Sequence, residues 1–241
     1  MIERISDIGN IRELNEDTFG VLEHENFSLF VICDGMGGHN AGEVASRMAK
    51  DILMTAMMEE LDEREPVRSL VDSIKDANRK IYELSTAERT MSGMGTTVTA
   101  ALSFRGSLYV AHVGDSSLYR VRDGNIDKIT KDHSLVQELV DLGKLDKDAA
   151  RHHPNKNIIT RAVGTNAEVS VDTFSMETTR EDIYVLCTDG LTDYLSDEEI
   201  LNEITSHENK KDSVIFLADM AKERGGKDNI TLVIFGGEAL K

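Results

Sequence analysis

The chain has 241 residues, of which 40% are hydrophobic and 29% are charged, a composition typical of a globular protein. Its 27 Lys and Arg stand against 44 Asp and Glu, and the net charge of −17 repels nucleic-acid phosphates and anionic lipid head groups. We therefore expect neither nucleic acid nor a membrane surface as a partner.

The ends and the cysteines give little sign of export or of metal-thiolate chemistry. The N-terminus lacks a basic segment followed by an apolar stretch, and no run of about 18 apolar residues occurs, so we expect a cytoplasmic protein. Cys33 and Cys187 each lie in an apolar run, and two thiols are too few for a disulfide framework or a zinc site. We expect both in the core.

The first predicted elements are one strand and two helices. An apolar run over residues 27–33 ends in an Asp-Gly pair, which predicts a buried strand that leads into a turn. Apolar residues then recur every three or four positions over residues 41–57, which predicts an amphipathic helix. A second helix is predicted over residues 67–84, entered through Pro66.

Strands dominate the middle of the chain. Turn signals at Arg105-Gly106 and Asp123-Gly124 accompany three apolar runs, which together predict an antiparallel meander. Its strands are predicted over residues 96–104, 107–113 and 117–121.

The last part of the chain mixes helices and strands. Residues 146–157 are polar and weakly periodic, which indicates an exposed excursion. The other predicted elements are helices over residues 135–142, 196–204 and 213–223 and strands over residues 169–174, 183–187 and 230–235.

The connections between these elements favour one fold class. Hairpin-linked strands combined with paired helices favour a layered α+β fold over a doubly wound parallel sheet. The only prolines are Pro66 and Pro154, and no proline-rich or serine-rich linker divides the chain. We predict a single domain over residues 1–241 without internal repeats.

Five short acidic segments carry the functional information. Each places a carboxylate at a predicted strand end or in a glycine-rich turn, where several oxygens can hold a hard divalent cation. One Asp-Gly pair after a strand is most often only a turn, but the whole set favours a metal site. The segments are Asn15-Glu16-Asp17, Asp34-Gly35-Met36-Gly37-Gly38-His39, Gly114-Asp115-Ser116, Asp189-Gly190 and Asp228-Asn229.

Three of these aspartates are the expected metal ligands. Mg²⁺ and Mn²⁺ bind carboxylate, carbonyl and water oxygens, and sites that act on phosphate commonly pair two metals about 3.5–4 Å apart. Asp34, Asp189 and Asp228 each adjoin a turn next to an apolar strand. The glycines that follow Asp34 and Asp189 are expected to let a backbone carbonyl approach a metal.

The motifs, taken in order, resemble those of the metal-dependent PPM protein serine/threonine phosphatases in their small bacterial single-domain form. The resemblance covers essentially the whole chain, and an ordered set of motifs is far more specific than one glycine-rich turn. Besides the five acidic segments, it rests on Ser6-Asp7-Ile8-Gly9 with Arg12, Gly93-Met94-Gly95-Thr96-Thr97, His112-Val113, Thr130-Lys131-Asp132-His133-Ser134, Cys187-Thr188, Leu191, Gly226-Lys227 and Ile230-Thr231.

The resemblance implies both a fold and a metal site. The fold would be two packed antiparallel sheets flanked by helix pairs, an α-β-β-α sandwich, with a mobile flap over residues 145–163. At one end of the sandwich, Asp34 would bridge two Mn²⁺ or Mg²⁺ ions. Asp189 and Asp228 would complete the coordination of the first ion, and the carbonyl of Gly35 would bind the second.

Further residues acquire roles from the same resemblance. Glu16 would orient a metal-bound water, and Asp115 with Asp189 matches the position of a third, weaker metal. Arg12 matches the position of a guanidinium that contacts the phosphate. His39 is the candidate acid that protonates the departing alkoxide, because histidine titrates near neutral pH.

The chain departs from part of the family beside this acid. Eukaryotic members carry a histidine directly after the Asp-Gly pair, where this chain has Met36. His39 is therefore also open to interpretation as a residue behind the ligands or at the helix entry. No zinc-type ligand set surrounds His133, His152 or His153, which we interpret as flap or surface histidines.

The expected activity is hydrolysis of phosphoserine and phosphothreonine in proteins by a hydroxide that bridges two metals. The substrates would be phosphorylated proteins, with a cognate bacterial Ser/Thr kinase and its targets as the expected partners. Nothing in the sequence indicates an obligate interface, so we expect a monomer.

Two other classes of protein compete with this interpretation. An ATP-binding module would use residues 34–38 as the nucleotide-binding turn of the GHKL ATPases, but it leaves Asp115, Asp189 and Asp228 without a role. A pseudophosphatase would keep the fold as an interaction module, and the carboxylates present at every matching position argue against it.

Overall fold

The computed structural model describes residues 1–38 and 41–237. The strands are β1 (Ile2–Asp7), β2 (Asp17–Glu23), β3 (Phe27–Met36), β4 (Gly95–Thr96), β5 (Val98–Phe104), β6 (Ser107–Val113), β7 (Ser117–Arg122), β8 (Asn125–Lys128), β9 (Asp172–Glu177), β10 (Ile183–Cys187) and β11 (Ile230–Gly236). The helices are α1 (Ala41–Glu60), α2 (Pro66–Ala87), α3 (Leu135–Asp141), α4 (Lys147–Arg151), α5 (Asp189–Thr192), α6 (Asp197–Ser206) and α7 (Lys210–Glu223), with a 3-10 turn at Arg89–Met91.

Two antiparallel sheets pack face to face, and a helix pair covers the outer side of each. One sheet has the strand order β1-β11-β10-β7-β8, and the other has the order β2-β3-β5-β6-β9, with β4 paired to the end of β3. Helices α1 and α2 pack on the second sheet, and α6 and α7 pack on the first. The predicted α-β-β-α sandwich is confirmed.

Strand β3 shows how the layers arise from alternating side chains. Leu29 and Val31 point into the core shared with α1 and α2, while Phe30 and Ile32 point into the core between the sheets. Because both faces of this strand are covered, its apolar run is continuous, which is why the sequence predicted a buried strand.

The first sheet repeats this arrangement on its own two faces. On β10, Val185 and Cys187 face the core under α6 and α7, whereas Tyr184 and Leu186 face the core between the sheets. Cys33 and Cys187 are both buried free thiols, as predicted.

One topological prediction is wrong. Strands β6 and β7 do not form a meander with β5, because β6 pairs with β5 and β9 whereas β7 pairs with β10 and β8. The chain crosses from one sheet to the other over residues 114–116. Both strands have buried, β-rich sequences, so their local pattern does not tell which sheet each strand joins.

Several element boundaries also differ from the prediction. Strands β1, β2 and β8 were not predicted because they are short or carry many polar residues. The strand predicted over residues 169–174 lies at Asp172–Glu177, and α7 begins at Lys210 instead of residue 213. The predicted strand over residues 27–33 also ends too early, since β3 continues to Met36.

The predicted flap, residues 145–163, is largely exposed and contains α4. It returns to the body of the protein through isolated bridges from Ile159 to Ser134 and from Val163 to Thr96. Asn78 of α2 holds the following turn by accepting a hydrogen bond from the Gly164 N–H. The mobility of the segment and the single-domain assignment stay predictions.

No helix in residues 1–38 or 41–237 is both long enough and apolar enough to cross a membrane.

Candidate active site

Two aspartates on neighbouring strands of one sheet lie next to the other sheet. Asp17 on β2 lies directly opposite Asp34 on β3 in the antiparallel register. The Asp17 side chain is buried, and its Oδ2 accepts a 2.8 Å hydrogen bond from the hydroxyl of Thr188, which follows β10 in the other sheet. The sequence analysis placed Asp17 in a motif but gave it no role, and the Asn-Glu-Asp segment was the available signal.

The backbone around Asp34 is fixed by its neighbours on the next strands. The Asp34 N–H donates to Thr97 Oγ1 at 2.9 Å, and the Asp34 carbonyl accepts from Thr97 N at 2.8 Å and from Thr96 Oγ1 at 2.9 Å. None of these hydrogen bonds uses the carboxylate. The Asp34 backbone is therefore held in place, while these bonds leave its carboxylate oxygens available to a ligand.

Close backbone packing explains two glycines at the site. A Cβ atom on Gly35 would lie 2.2 Å from the carbonyl oxygen of Gly42, and one on Gly190 would lie 1.9 Å from the carbonyl oxygen of Asn229. No side chain fits at either position. The structure gives a packing reason for glycine at both positions, beside the predicted approach of a backbone carbonyl to a metal. The Gly35 carbonyl as a metal ligand stays a prediction.

Asp189 and Asp228 come from the other sheet. Asp189 opens the short helix α5 directly after Thr188, and Asp228 precedes β11 and accepts a 2.8 Å hydrogen bond from the N–H of Asn229. Arg12 reaches Asp228 from the loop between β1 and β2, with 2.7 Å between Nη2 and Oδ2. Asp34 is close enough to Asp189 and Asp228 for their charges to raise its pKa. Four predicted site residues therefore converge from both sheets: Arg12, Asp34, Asp189 and Asp228.

The electrostatics of this cluster are unfavourable without a cation. Burial, followed by the charges of Asp17 and Asp189, raises the pKa of Asp34 well above its usual range. Burial, followed by the charges of Asp115 and other neighbouring aspartates, raises the pKa of Asp189 in the same way. Carboxylates that repel each other in a buried place are stabilised by a bound cation.

Asp115 carries a buried carboxylate oxygen. Its side chain is 7% exposed, and Oδ1 is buried with no hydrogen-bond partner among the described residues. Burial, with a contribution from the nearby Asp132, raises the pKa of Asp115 to about 7. An unpartnered buried carboxylate oxygen is costly, and an ion would satisfy it.

Glu16 lies near Arg12 and Asp228. Burial raises the pKa of its carboxyl, although the nearby Arg12 lowers it. Oε1 is packed against Gly42 and has no hydrogen-bond partner of ordinary geometry in the described ranges. The Glu16 N–H donates to the side-chain carbonyl of Asn229 at 2.8 Å, which fixes the backbone beside the cluster.

The donor set fits hard divalent cations. In residues 1–38 and 41–237, no three His, Cys, Asp or Glu side chains form a compact group around one point. Mg²⁺ commonly keeps several waters and takes only one or two carboxylates, and Mn²⁺ favours the same oxygen ligands. The aspartates are spread, and one oxygen each of Asp115 and Glu16 is buried without a hydrogen-bond partner of ordinary geometry among the described residues. The set therefore suits ions that complete their coordination with water and backbone carbonyls.

The histidines fall into three groups. His39, the candidate acid, lies outside the described residues. His152 is exposed and His153 is half-buried on the predicted flap. His133 is not a surface residue as expected, because it is only 6% exposed.

Long-range partners explain the burial of His133. Its Nδ1 accepts a 2.9 Å hydrogen bond from Gly114 N, beside Asp115, so the proton of the neutral ring lies on Nε2. That nitrogen faces Asp172 Oδ2 at 3.2 Å, and Arg161 donates to the same carboxylate at 2.5 Å. Burial lowers the pKa of His133 although Asp172 raises it, so the histidine holds the loop of Asp115 mainly as a neutral ring.

Comparisons with known proteins show the family to which the chain belongs. The family model described as protein phosphatase 2C matches residues 11–230. The serine/threonine phosphatase Stp of Listeria monocytogenes is 38% identical over 233 residues, which cover 95% of this chain and 92% of that protein. The serine/threonine protein phosphatase PstP of Mycobacterium tuberculosis is 39% identical over 233 residues, which cover 95% of this chain and 43% of that protein.

Solved structures show the same fold. The serine/threonine phosphatase of S. agalactiae superposes with a TM-score of 0.91 and 38% identity, covering 97% of this chain and 98% of that one. The catalytic domain of the serine/threonine protein phosphatase PstP, in complex with two manganese ions, superposes with a TM-score of 0.86 and 35% identity, covering 97% and 96% of the two chains.

An α-β-β-α sandwich with a carboxylate cluster where its sheets meet, together with these similarities, defines a protein serine/threonine phosphatase. Within that class, the chain belongs to the protein phosphatase 2C family. The resemblance to the PPM phosphatases is thereby confirmed.

Proposed function

We propose that the chain hydrolyses phosphoserine and phosphothreonine in proteins at a binuclear site for Mn²⁺ or Mg²⁺ between its two sheets. The observation that carries this proposal is that Asp34 and Asp189, half-buried and from different sheets, lie in one cluster of carboxylates. Burial and the charges of Asp17 and Asp189 raise the pKa of Asp34, and burial and the charges of Asp115 and other aspartates raise the pKa of Asp189. Such crowding disfavours the ionised metal-free site and favours one that holds cations.

The residues assigned to the cations follow from the resemblance to the PPM phosphatases. Asp34 would be shared by two ions, with Asp189 and Asp228 on one ion and the Gly35 carbonyl on the other. Glu16 would orient a water through its carboxylate. Two bound cations supply an acidified water and offset the negative charge of the phosphoryl group. The two manganese ions bound to the PstP catalytic domain support the number of ions in this proposal.

Arg12 is assigned to the phosphoryl oxygens. Its side chain is 46% exposed, and Nη2 is engaged by Asp228. A guanidinium has five N–H donors, so Arg12 retains donors that can reach a ligand from the solvent side. Charge-assisted hydrogen bonds from these donors would orient the phosphoryl group and offset charge that develops on it.

Two further assignments concern a third cation and the acid. Asp115, with Asp189, would hold a third, weaker cation, which the unpartnered Oδ1 of Asp115 supports. His39 would protonate the departing alkoxide, an assignment that rests on the sequence alone.

The proposal extends to the substrates of the chain. The substrates would be proteins phosphorylated by a bacterial Ser/Thr kinase, with the chain acting as a cytoplasmic monomer in signalling. Phosphoproteomes of a deletion strain without altered serine or threonine sites would contradict the kinase link.

Phosphate release from a phosphothreonine peptide tests the proposed chemistry. The assay compares Mn²⁺, Mg²⁺ and chelator, and it includes Asp34→Ala, Asp189→Ala and the exposed control Asp51→Ala on α1. We expect activity only with metal, its loss in the first two variants and its retention in the control. A folded protein that is inactive with every metal would instead support the pseudophosphatase.

A further inference from the structure

Apolar side chains are exposed on the loop between β1 and β2. Ile11 is 67% exposed, and Ile8 and Leu14 are each 40% exposed. Isolated exposed apolar residues are common and need no explanation, but these three lie within seven positions of one loop. Arg12, the proposed phosphate ligand, lies among them.

The loop is pinned, so its apolar side chains do not reflect a loose segment. The side-chain amide of Asn229 donates to the carbonyls of Ile8 and Leu14, each at 2.9 Å. In the middle of the loop, Asn10 donates from its backbone to Gly226 O at 2.7 Å and from its side chain to Lys222 O at 2.8 Å. The backbone that carries the apolar side chains is therefore pre-organised.

The same side chain fixes the loop and the candidate active site. Asn229 directly follows Asp228, and its Oδ1 accepts the N–H of Glu16. Asn229 thus couples the position of Ile8 and Leu14 to the proposed metal ligands. A group bound by Arg12 would lie beside a loop whose backbone is held in place and whose apolar side chains are exposed.

We propose that Ile8, Ile11 and Leu14 form a contact surface for apolar residues that flank the phosphorylated residue of a protein substrate. The inference rests on the proposed function, in which Arg12 binds the phosphoryl group. An extended chain advances about 3.3–3.6 Å per residue, so positions one to three residues from the phosphothreonine can reach the loop. The net charge of −17 disfavours acidic flanking residues, and the exposed apolar side chains beside Arg12 favour apolar flanking residues over neutral polar ones.

Paired phosphothreonine peptides test this inference. One peptide carries Leu and Ile within three residues of the phosphothreonine, and the other carries Ser and Asn at the same positions. kcat and KM are measured for both with excess Mn²⁺ on the full chain. The variants are Ile11→Ser, the conservative Ile11→Leu and the control Met58→Ser.

Met58 is a matched control. It is 52% exposed, and it lies about 25 Å along α1 from the end of the helix that packs at the site, at 1.5 Å per residue. Thermal unfolding of Ile11→Ser checks that the variant is folded. Sedimentation velocity checks whether the surface joins two copies of the chain.

We expect the wild type to prefer the apolar peptide roughly three- to ten-fold in kcat/KM, mainly through KM. Ile11→Ser should make the kcat/KM values of the two peptides similar, whereas Ile11→Leu and Met58→Ser should keep the preference for the apolar peptide. A wild type without preference, or an unchanged preference in folded Ile11→Ser, would overturn the inference. A dimer dispersed by Ile11→Ser, with the peptide preference unchanged, would assign the surface to self-association. Hydrolysis of neither peptide by the wild type would instead overturn the proposed function itself.

Discussion

Arg12 donates a hydrogen bond of 2.7 Å from Nη2 to Oδ2 of Asp228, a residue 216 positions further along the chain. The contact joins the loop after β1 to the start of β11, so it depends on the pairing of these two strands. Burial lowers the pKa of Arg12, but the hydrogen bond to Asp228 and the charges of Asp228, Glu16 and Asp34 together outweigh this effect, so the pKa is raised and the guanidinium stays charged.

Replacing Arg12 should impair catalysis more than folding. We expect Arg12→Ala to lower kcat/KM on a phosphothreonine peptide by about 10- to 100-fold, since a preorganised charged donor to the phosphoryl group is lost. Arg12→Lys should recover only part of this, because lysine lacks the planar fork of donors. The control is Arg47→Ala, which removes an exposed pair with Glu43 on α1. Activity of Arg12→Ala within two-fold of the wild type would refute the assignment.

Asp34→Asn should stabilise the metal-free protein. Removing one charge from a buried group of carboxylates relieves their repulsion, and we expect the melting temperature in chelator to rise by about 2–4 °C. The same variant should lose most of the rise that excess Mn²⁺ gives the wild type, because its highest-affinity site is incomplete. Differential scanning calorimetry measures both effects. A lower melting temperature in chelator would argue against charge crowding.

How far the sequence predicts this site depends on whether the interacting residues are near each other in sequence or far apart. The strand leading to Asp34 was predictable because both faces of β3 are buried and its side chains are uniformly apolar. The convergence of Asp34 with Asp189 and Asp228 was predictable only through the family resemblance. No local pattern states that the ends of strands in different sheets meet.

The failures have the same physical origin. The crossing between β6 and β7 was missed because pairing partners are set by tertiary packing, which a single strand does not encode. His133 was assigned to the surface because its partners Gly114 and Asp172 are distant in sequence. The unassigned Asp17 needed Thr188 of the other sheet to reveal its position.

Packing between the sheets should respond strongly to truncation. The rings of Phe30 and Phe235 stack with centroids 3.8 Å apart, and Phe235 is 1% exposed. We expect Phe235→Ala to lower the free energy of unfolding by about 3–5 kcal/mol. The control Phe216→Ala, at a ring on α7 that is 48% exposed, should cost less than about 1 kcal/mol. Urea denaturation measures both, and equal losses would contradict the proposed role of the inter-sheet core.

The first turn of α6 should make stability depend on pH. Glu199 accepts hydrogen bonds from Arg224 and from the N–H of Ser196, and these interactions, with Arg224 the larger, lower its pKa from 4.5 to about 2. A lowered pKa in the folded state stabilises the fold above pH 4.5, and this contribution is lost as the pH falls toward 2.

Glu199→Gln tests that dependence. We expect the variant to be less stable by about 1 kcal/mol at pH 7, with the difference shrinking below pH 4.5. The exposed neighbour offers the control Glu198→Gln, which should change the free energy of unfolding by less than about 0.5 kcal/mol. Denaturant unfolding between pH 7 and pH 3 gives the result, and a difference that grows as the pH falls would have the wrong sign.

Calorimetric titration of Mn²⁺ into metal-free protein tests the central claim most directly, because it measures the site without relying on activity. We expect two ions per wild-type chain at stoichiometric affinity, at least one fewer in Asp34→Asn and Asp189→Asn, and two in the exposed control Asp51→Asn. A wild type that binds no Mn²⁺, or an Asp34→Asn variant that still binds two ions with wild-type affinity, would contradict a binuclear site built on these aspartates.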